Sequence, residues 1–210
     1  MVRGRFIALE GIDGSGKSSQ IARLADWLRS TGLDVTTCRD PGSTAAGDAI
    51  RGILLDRHDL HLAPTAEMLL YMAARAQLVA DVVAPALARG AWVVSDRYLL
   101  SNVVYQGHAG GLDPESVRAV GDAATGGLLP DLVLVLDVDA ETAARRLDRP
   151  LDKLENRGVG YRTRVREGYL AEAGRDSAGI RVIDAAAGVD EVAARIRATV
   201  AARFGLMGPG

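Results

Sequence analysis

Residues 11–18 read Gly-Ile-Asp-Gly-Ser-Gly-Lys-Ser, a run that fits G-x-x-x-x-G-K-[ST]. No other stretch narrows the possible folds so far, because such a run works only as the turn between a strand and the N-terminus of a helix. Its glycines let successive backbone N–H groups point into one concavity. Lys17 reaches the outer phosphates there, and the Ser18 hydroxyl can ligate Mg²⁺. Both flanks are present: Phe6-Ile7-Ala8-Leu9 suits a strand covered on both faces, and Ile21, Leu24 and Leu28 recur at helical spacing until Thr31-Gly32 stops the pattern. The chain is therefore expected to bind a nucleoside triphosphate through Gly11, Ile12, Asp13, Gly14, Ser15, Gly16, Lys17, Ser18 and Ser19. Lysine is scarce: Lys17 and Lys153 are the only two among 25 basic residues, which fits a coding bias towards arginine. A position that stays lysine against that bias points to a need for a compact, mobile ammonium.

Further apolar runs at 33–38, 92–95, 132–138 and 180–183 alternate with helical patterns. That alternation predicts an α/β fold, a five-stranded parallel sheet with helices on both faces. Ligands in such sheets bind beyond the carboxyl ends of the strands, so Gly11, Arg39-Asp40, Asp96-Arg97 and the loop after Ile183 should share one rim. The longest helical pattern runs from about residue 64 to 89, and Leu69, Ala73, Ala76, Ala80, Val83 and Leu87 form a stripe expected to face the core. Tyr71 and Arg75, four residues apart, project from the opposite side, and Pro85 is expected to kink or divide the helix.

At 210 residues the chain fits one domain, 1–210. A net charge of −2 gives no electrostatic footprint for nucleic acid or an anionic membrane. The single Cys38 excludes an internal disulfide and offers no metal pattern. Only four apolar residues follow the N-terminal arginines before Glu10, too few for a signal peptide, and no apolar stretch approaches spanning length, so a soluble, cytoplasmic protein is expected. Between Arg145 and Arg166 lie seven arginines and Lys153, broken by Pro150, Gly158 and Gly160. Such charge usually marks a solvated helical face; in a triphosphate binder it also suits a basic flap, or lid, at about 145–162.

The acceptor must be sought outside the loop. A guanine-reading Asn-Lys-x-Asp is impossible, since neither Asn102 nor Asn156 precedes a lysine. The segment Asp96-Arg97-Tyr98-Leu99-Leu100-Ser101-Asn102-Val103-Val104-Tyr105-Gln106-Gly107 resembles the signature of the thymidylate kinases, D-R-Y/H followed by S-x-x-A-Y-Q-G. Arg39-Asp40-Pro41-Gly42 stands where that family often has R-E-P-G, and Tyr71-Met72-Ala73-Ala74-Arg75 and Leu151-Asp152-Lys153-Leu154-Glu155 agree in order and spacing. The resemblance covers nearly the whole chain.

It implies a P-loop nucleoside monophosphate kinase fold with a small lid, a homodimer, and transfer of the γ-phosphoryl group of ATP to dTMP with Mg²⁺. By resemblance, Arg97 looks like the clamp on the acceptor phosphate, and Asp96, with Ser18, like the holder of Mg²⁺. Arg75 looks like the base reader, since a guanidinium donates to the O4 of thymine and opposes the amino group of cytosine. Tyr71 stands at the base-stacking position, and Asn102 or Gln106 faces the remaining polar edge, beside Ser101. Tyr105 resembles a gate against a ribose 2′-hydroxyl, and Asp13 the acceptor for the sugar 3′-hydroxyl. Arg39, Pro41 and Arg51 fall at family positions near the acceptor. In the lid, Lys153 replaces a usual arginine, Arg157-Gly158-Val159-Gly160 replaces a more acidic and aromatic stretch, and Ser19 stands for a common threonine. Lys153 or one of Arg145, Arg146 and Arg149 is left to meet the transferred phosphate, and one of those arginines to pack on adenine, for which Arg145 is taken. The rivals are a kinase for another nucleoside or nucleotide, such as dUMP or a deoxynucleoside, and a non-catalytic nucleotide-dependent module, which would need no second pocket.

Overall fold

The computed structural model describes residues 3–147 and 158–206. Arg149, Lys153 and most of the expected lid lie outside the described residues. The five expected strands are present as β1 (Phe6–Glu10), β2 (Val35–Arg39), β3 (Trp92–Asp96), β4 (Leu132–Asp137) and β5 (Ile180–Asp184). All pair in parallel in the order β2-β3-β1-β4-β5. Every residue of β1 is buried, as a strand covered on both faces must be. Phe6 and Ala8 join one core, while Ile7 and Leu9 join the other, the alternation a pleated strand imposes. The register sets Leu9 and Arg39 beside Asp96, and Asp137 beside Asp184, so the carboxyl ends form the anticipated rim.

Helices α1 (Lys17–Ser30) and α9 (Val189–Phe204) cover one face. Leu24 and Leu28 of α1 are buried there, each contributing roughly 1.5–3 kcal/mol. The other face is covered by α2 (Ala45–Leu55), α3 (Pro64–Leu78), α4 (Ala84–Ala88), α5 (Leu99–Asn102), α6 (Pro114–Thr125) and α8 (Val159–Arg175), while α7 (Ala140–Arg145) lies beside α8.

The long helix corrects the expected stripe. Leu69 is 50% exposed and Ala73 and Ala80 are also exposed, whereas Met68, Tyr71, Met72, Arg75 and Leu78 are buried. Beyond them Val83 and Leu87 are buried as anticipated. A π-helical turn, Val79–Val83, separates α3 from α4; its wider turn absorbs one extra residue, so beyond it the count is one out and steps of three and four no longer follow one face. Pro85 sits immediately after this turn, where a missing N–H is accommodated. The continuous helix Pro64–Ala88 is, contrary to the sequence expectation, long and apolar enough to cross a membrane by length and composition alone. Here it packs against α2, α6 and β3.

Candidate active site

Two adjoining cavities open on the carboxyl rim. The larger, about 860 Å³, is lined by the loop from Asp13 to Gln20, by Arg39, Asp40, Asp96 and Arg97, and on the far side by Arg146 and the segment from Ala185 to Val192. Gly11 and Gly14 adopt φ of 133° and 86°, and a Cβ on Gly14 would collide with the Ala143 carbonyl oxygen. Only glycine fits there. Lys17 is buried and donates to the carbonyls of Gly11 and Ile12 at 3.0 Å each. Burial pushes its ammonium pKa down, as does the Arg97 cation, against the carboxylates of Asp13, Asp96 and Glu10. A bound anion would replace the two carbonyls and favour the charged ammonium. Ser18 and Ser19 are exposed on the cavity wall.

Asp96 Oδ1 is buried without a hydrogen-bond partner among the described residues and faces the same cavity as Ser18. One carboxylate and one hydroxyl suit a hard cation that takes the rest of its shell from phosphate and water. Among the described residues no group of three or more His, Cys, Asp or Glu could hold a metal without such help.

The smaller cavity, about 90 Å³, is lined by Asp13, Pro41, Arg51, Tyr71, Arg75, Arg97, Ser101, Asn102, Tyr105 and Gln106, together with Asp40 and Leu55. Residues scattered over ninety positions of sequence thus meet. Arg97 stands where the two cavities join. Its Nη2 donates to Asp13 Oδ1 at 2.5 Å and to the Tyr105 hydroxyl at 3.1 Å; its Nη1 donates to the Gly11 carbonyl, Ser101 Oγ and the Tyr169 hydroxyl at 3.0–3.1 Å. The Asp13 carboxylate therefore faces Arg97, which answers how a carboxylate is tolerated within a phosphate loop.

Arg75, 1% exposed, anchors a directed chain of bonds. Its Nε donates to Asp40 Oδ2 at 2.5 Å and its Nη2 to Asn102 Oδ1 at 2.5 Å and the Tyr98 carbonyl at 3.3 Å. Asn102 Nδ2 donates to Gln106 Oε1 at 2.8 Å, and Gln106 Nε2 to Glu67 Oε1 at 3.0 Å. A donor at one end and a carboxylate at the other fix which way both amides point. Among the described residues Arg75 Nη1 meets only the thioether of Met72, a weak acceptor, and so keeps a donor for an oxygen in the cavity. Burial pushes the Asp40 carboxyl up, while the Arg75 cation draws it back.

Tyr105 and Gln106 lie on a second π-helical turn, Val103–His108. The Tyr105 ring packs edge-on against Tyr161 and Tyr169 of α8, and the Tyr161 hydroxyl donates to its carbonyl at 3.0 Å. Burial raises the Tyr105 phenol well above its usual range, so it stays neutral.

Not every expected residue joins a cavity. Arg39 lines the larger one, half-exposed and paired with Asp48 at 3.3 Å, but not the smaller. Arg51 reaches both and donates to the Pro41 carbonyl; burial, then Arg39, lowers its pKa. Arg145 lines neither: Glu141, one helical turn earlier, and Thr142 hold it towards solvent at 2.7 and 2.8 Å. Its neighbour Arg146 lines the larger cavity instead, donating to the carbonyls of Ala185 and Ala186. Part of the basic run is structural, since Arg166 holds Asp137 at the end of β4 through two bonds. Sequence reasoning missed Glu10, Glu67 and Tyr169. A carboxylate closing an apolar strand was a signal for Glu10; nothing local marks Tyr169, which meets Arg97 across 72 positions.

The thymidylate kinase family model matches residues 9–196. A thymidylate kinase of Oleidesulfovibrio alaskensis is 44% identical over 208 residues, covering 95% of this chain and 98% of its own. One from Clavibacter michiganensis is 47% identical over 197 residues, covering 92% and 93%. The crystal structure of a thymidylate kinase from Ehrlichia chaffeensis superposes with a TM-score of 0.77 at 26% identity, covering 94% of this chain and 99% of that one.

Proposed function

The chain belongs to the thymidylate kinase family, and from that premise we propose that it is an ATP:dTMP phosphotransferase that makes dTDP. The observation that carries the reading is the smaller cavity, whose free donor is Arg75 Nη1 and whose mouth is Arg97. ATP occupies the larger cavity, its phosphates on the 11–19 loop and Lys17. dTMP occupies the smaller, with Tyr71 against the base, Arg75 donating to O4, and Asn102, Gln106 and Ser101 along the remaining edge. Cytosine would turn an amino donor towards a guanidinium, which can accept nothing. Tyr105 fills the space of a 2′-hydroxyl, and Asp13 accepts from the 3′-hydroxyl. A nucleoside lacks the phosphate that Arg97 would hold, so the alternative of a nucleoside kinase is not favoured.

The attacking oxygen is already anionic, so no general base is needed and the work is alignment plus charge stabilisation. Arg97 forks the acceptor phosphate, assisted by Arg39 and Arg51, and Lys17 follows the charge that develops on the transferring group. Ser18 and Asp96 would hold Mg²⁺, which would supply positive charge to the phosphate oxygens. Arg149 and Lys153 supply cations from the lid. The protein acts in the cytoplasm as one kinase domain per subunit of a homodimer, a state supported by the outward apolar residues of α3 led by Leu69.

The test is ADP release with ATP and Mg²⁺ against dTMP, dUMP, UMP, dCMP and thymidine. dTMP should turn over fastest, and Lys17→Ala should abolish turnover while leaving the fold intact. Faster turnover of dCMP or thymidine would sink the reading, and a monomeric mass by light scattering would remove the dimer.

A further inference from the structure

We propose that Glu10 is a positioning residue for the acceptor clamp, turning the Ser101 and Tyr169 hydroxyls so that their oxygens accept from Arg97. The inference rests on the reading of Arg97 as the group that holds the acceptor phosphate.

Glu10 ends β1 and directly precedes the phosphate loop, with 0% exposure. A buried carboxylate demands partners, and four donors meet it. Oε1 receives the backbone N–H groups of Tyr98 at 2.8 Å and Ser101 at 3.3 Å; Oε2 receives Ser101 Oγ at 2.6 Å and the Tyr169 hydroxyl at 2.9 Å. Each hydroxyl has one proton. With both protons on Glu10, the lone pairs of Ser101 Oγ and Tyr169 Oη are left for Arg97 Nη1, 3.1 Å from each. Only an ionised carboxylate accepts on both oxygens; a glutamine would turn an NH₂ donor to one side and set donor against donor.

The peptide that follows Arg97 meets the same group, through the Tyr98 N–H. Arg97 itself has a φ of 68°, in the left-handed region, which a residue with a Cβ holds only when its surroundings impose it. Its N–H bonds the Leu9 carbonyl, and Ser95 Oγ donates to its own carbonyl. Helix α5 begins two residues later without a side-chain cap from Tyr98; Glu10 does the capping from another strand. A single residue at the root of the donor loop thus holds the peptide after Arg97 and turns the hydroxyls that meet its guanidinium.

The full-length protein tests this through KM for dTMP and for ATP measured separately, calorimetric binding of dTMP, and the thermal midpoint of each variant. Glu10→Gln should weaken dTMP by about tenfold or more, the equivalent of one hydrogen bond to a charged group. Tyr169→Phe should shift dTMP in the same direction by a smaller factor, and in both variants KM for ATP should stay put. A folded Tyr169→Phe with unchanged KM for dTMP would overturn the proposal, as would variants that raise both KM values together; if Glu10→Gln does not fold, Tyr169→Phe decides. Arg97→Gln separates the two levels. If it leaves dTMP binding intact, the clamp reading itself fails; if it weakens dTMP while Glu10→Gln and Tyr169→Phe do not, only the positioning role is lost.

Discussion

Substituting Glu172 by Gln should lower stability without touching the chemistry. Glu172, on α8, accepts from His108 Nε2 on the second π turn at 2.7 Å and from Arg118 Nη2 on α6 at 2.5 Å. Its side chain is 5% exposed, whereas His108 and Arg118 are 29% and 25% exposed. Burial pushes the carboxyl up, but the bonds from Arg118 and His108 outweigh it and hold the pKa below its usual value. Two bonds to a charged group would suggest about 3–6 kcal/mol. Solvent at both partners screens the charge, and Gln retains a neutral acceptor, so about 2 kcal/mol is a fairer figure. In a chain of this size that lowers the thermal midpoint by about 4–8 °C. The pH dependence has a definite sign. A carboxyl whose folded pKa is depressed binds its proton more tightly when unfolded, so its contribution is present above about pH 4.3 and lost as pH falls through the folded value. Urea denaturation of both proteins at pH 7, repeated towards pH 4 and below, should show a gap that narrows on acidification. Turnover of Glu172→Gln at 25 °C should persist, because none of the three residues lines either cavity. No gap at pH 7, or a gap unchanged in acid, would refute the reasoning.

Local geometry leads to two more expected outcomes. Gly14→Ala should abolish tight ATP binding in a folded protein, since the new Cβ meets the Ala143 carbonyl and φ of 86° adds roughly 1–3 kcal/mol of strain; unchanged ATP affinity in calorimetry would contradict this. Cys38 is buried and its thiol is pushed up to about 12, so iodoacetamide should label it only in denaturant, and labelling of native protein would show that the site opens.

What could be read from the sequence was what is written locally. The three central strands β1, β3 and β4 are buried along nearly their whole length and so appear as short apolar runs, and the phosphate loop places its ligands within eight consecutive residues. The 96–107 segment carries the residues proposed as clamp, edge readers and gate in one stretch, and the fold brings Arg75 and Tyr71 to it from α3. What could not be read is the direction of the polar bonds. Asp40, Arg75, Asn102, Gln106 and Glu67 form one chain, yet its links join residues 35, 27 and 39 positions apart as well as one pair on a single turn. Arg145 and Arg146 are adjacent and chemically identical; Glu141 and Thr142 hold the first away from the cavity, and the carbonyls of Ala185 and Ala186, 39 and 40 residues on, hold the second at its wall. In the 64–88 helix both faces are rich in alanine and apolar residues, so a periodic count had no way to choose the buried one.

The π turn at Val79–Val83 makes that helix tolerant of a shortening that any other part of it would refuse. A turn closed by i→i+5 bonds takes up one residue more than an α turn, so removing one residue from it would let the chain close into a regular helix. The stretch beyond, with Ala86 and Leu87, would still present the same side to β3. Elsewhere in the helix each residue advances by about 100°, and loss of one would swing everything beyond it away from the core. Alignments of relatives should therefore place their single-residue gaps at this turn and not in the regular helix on either side.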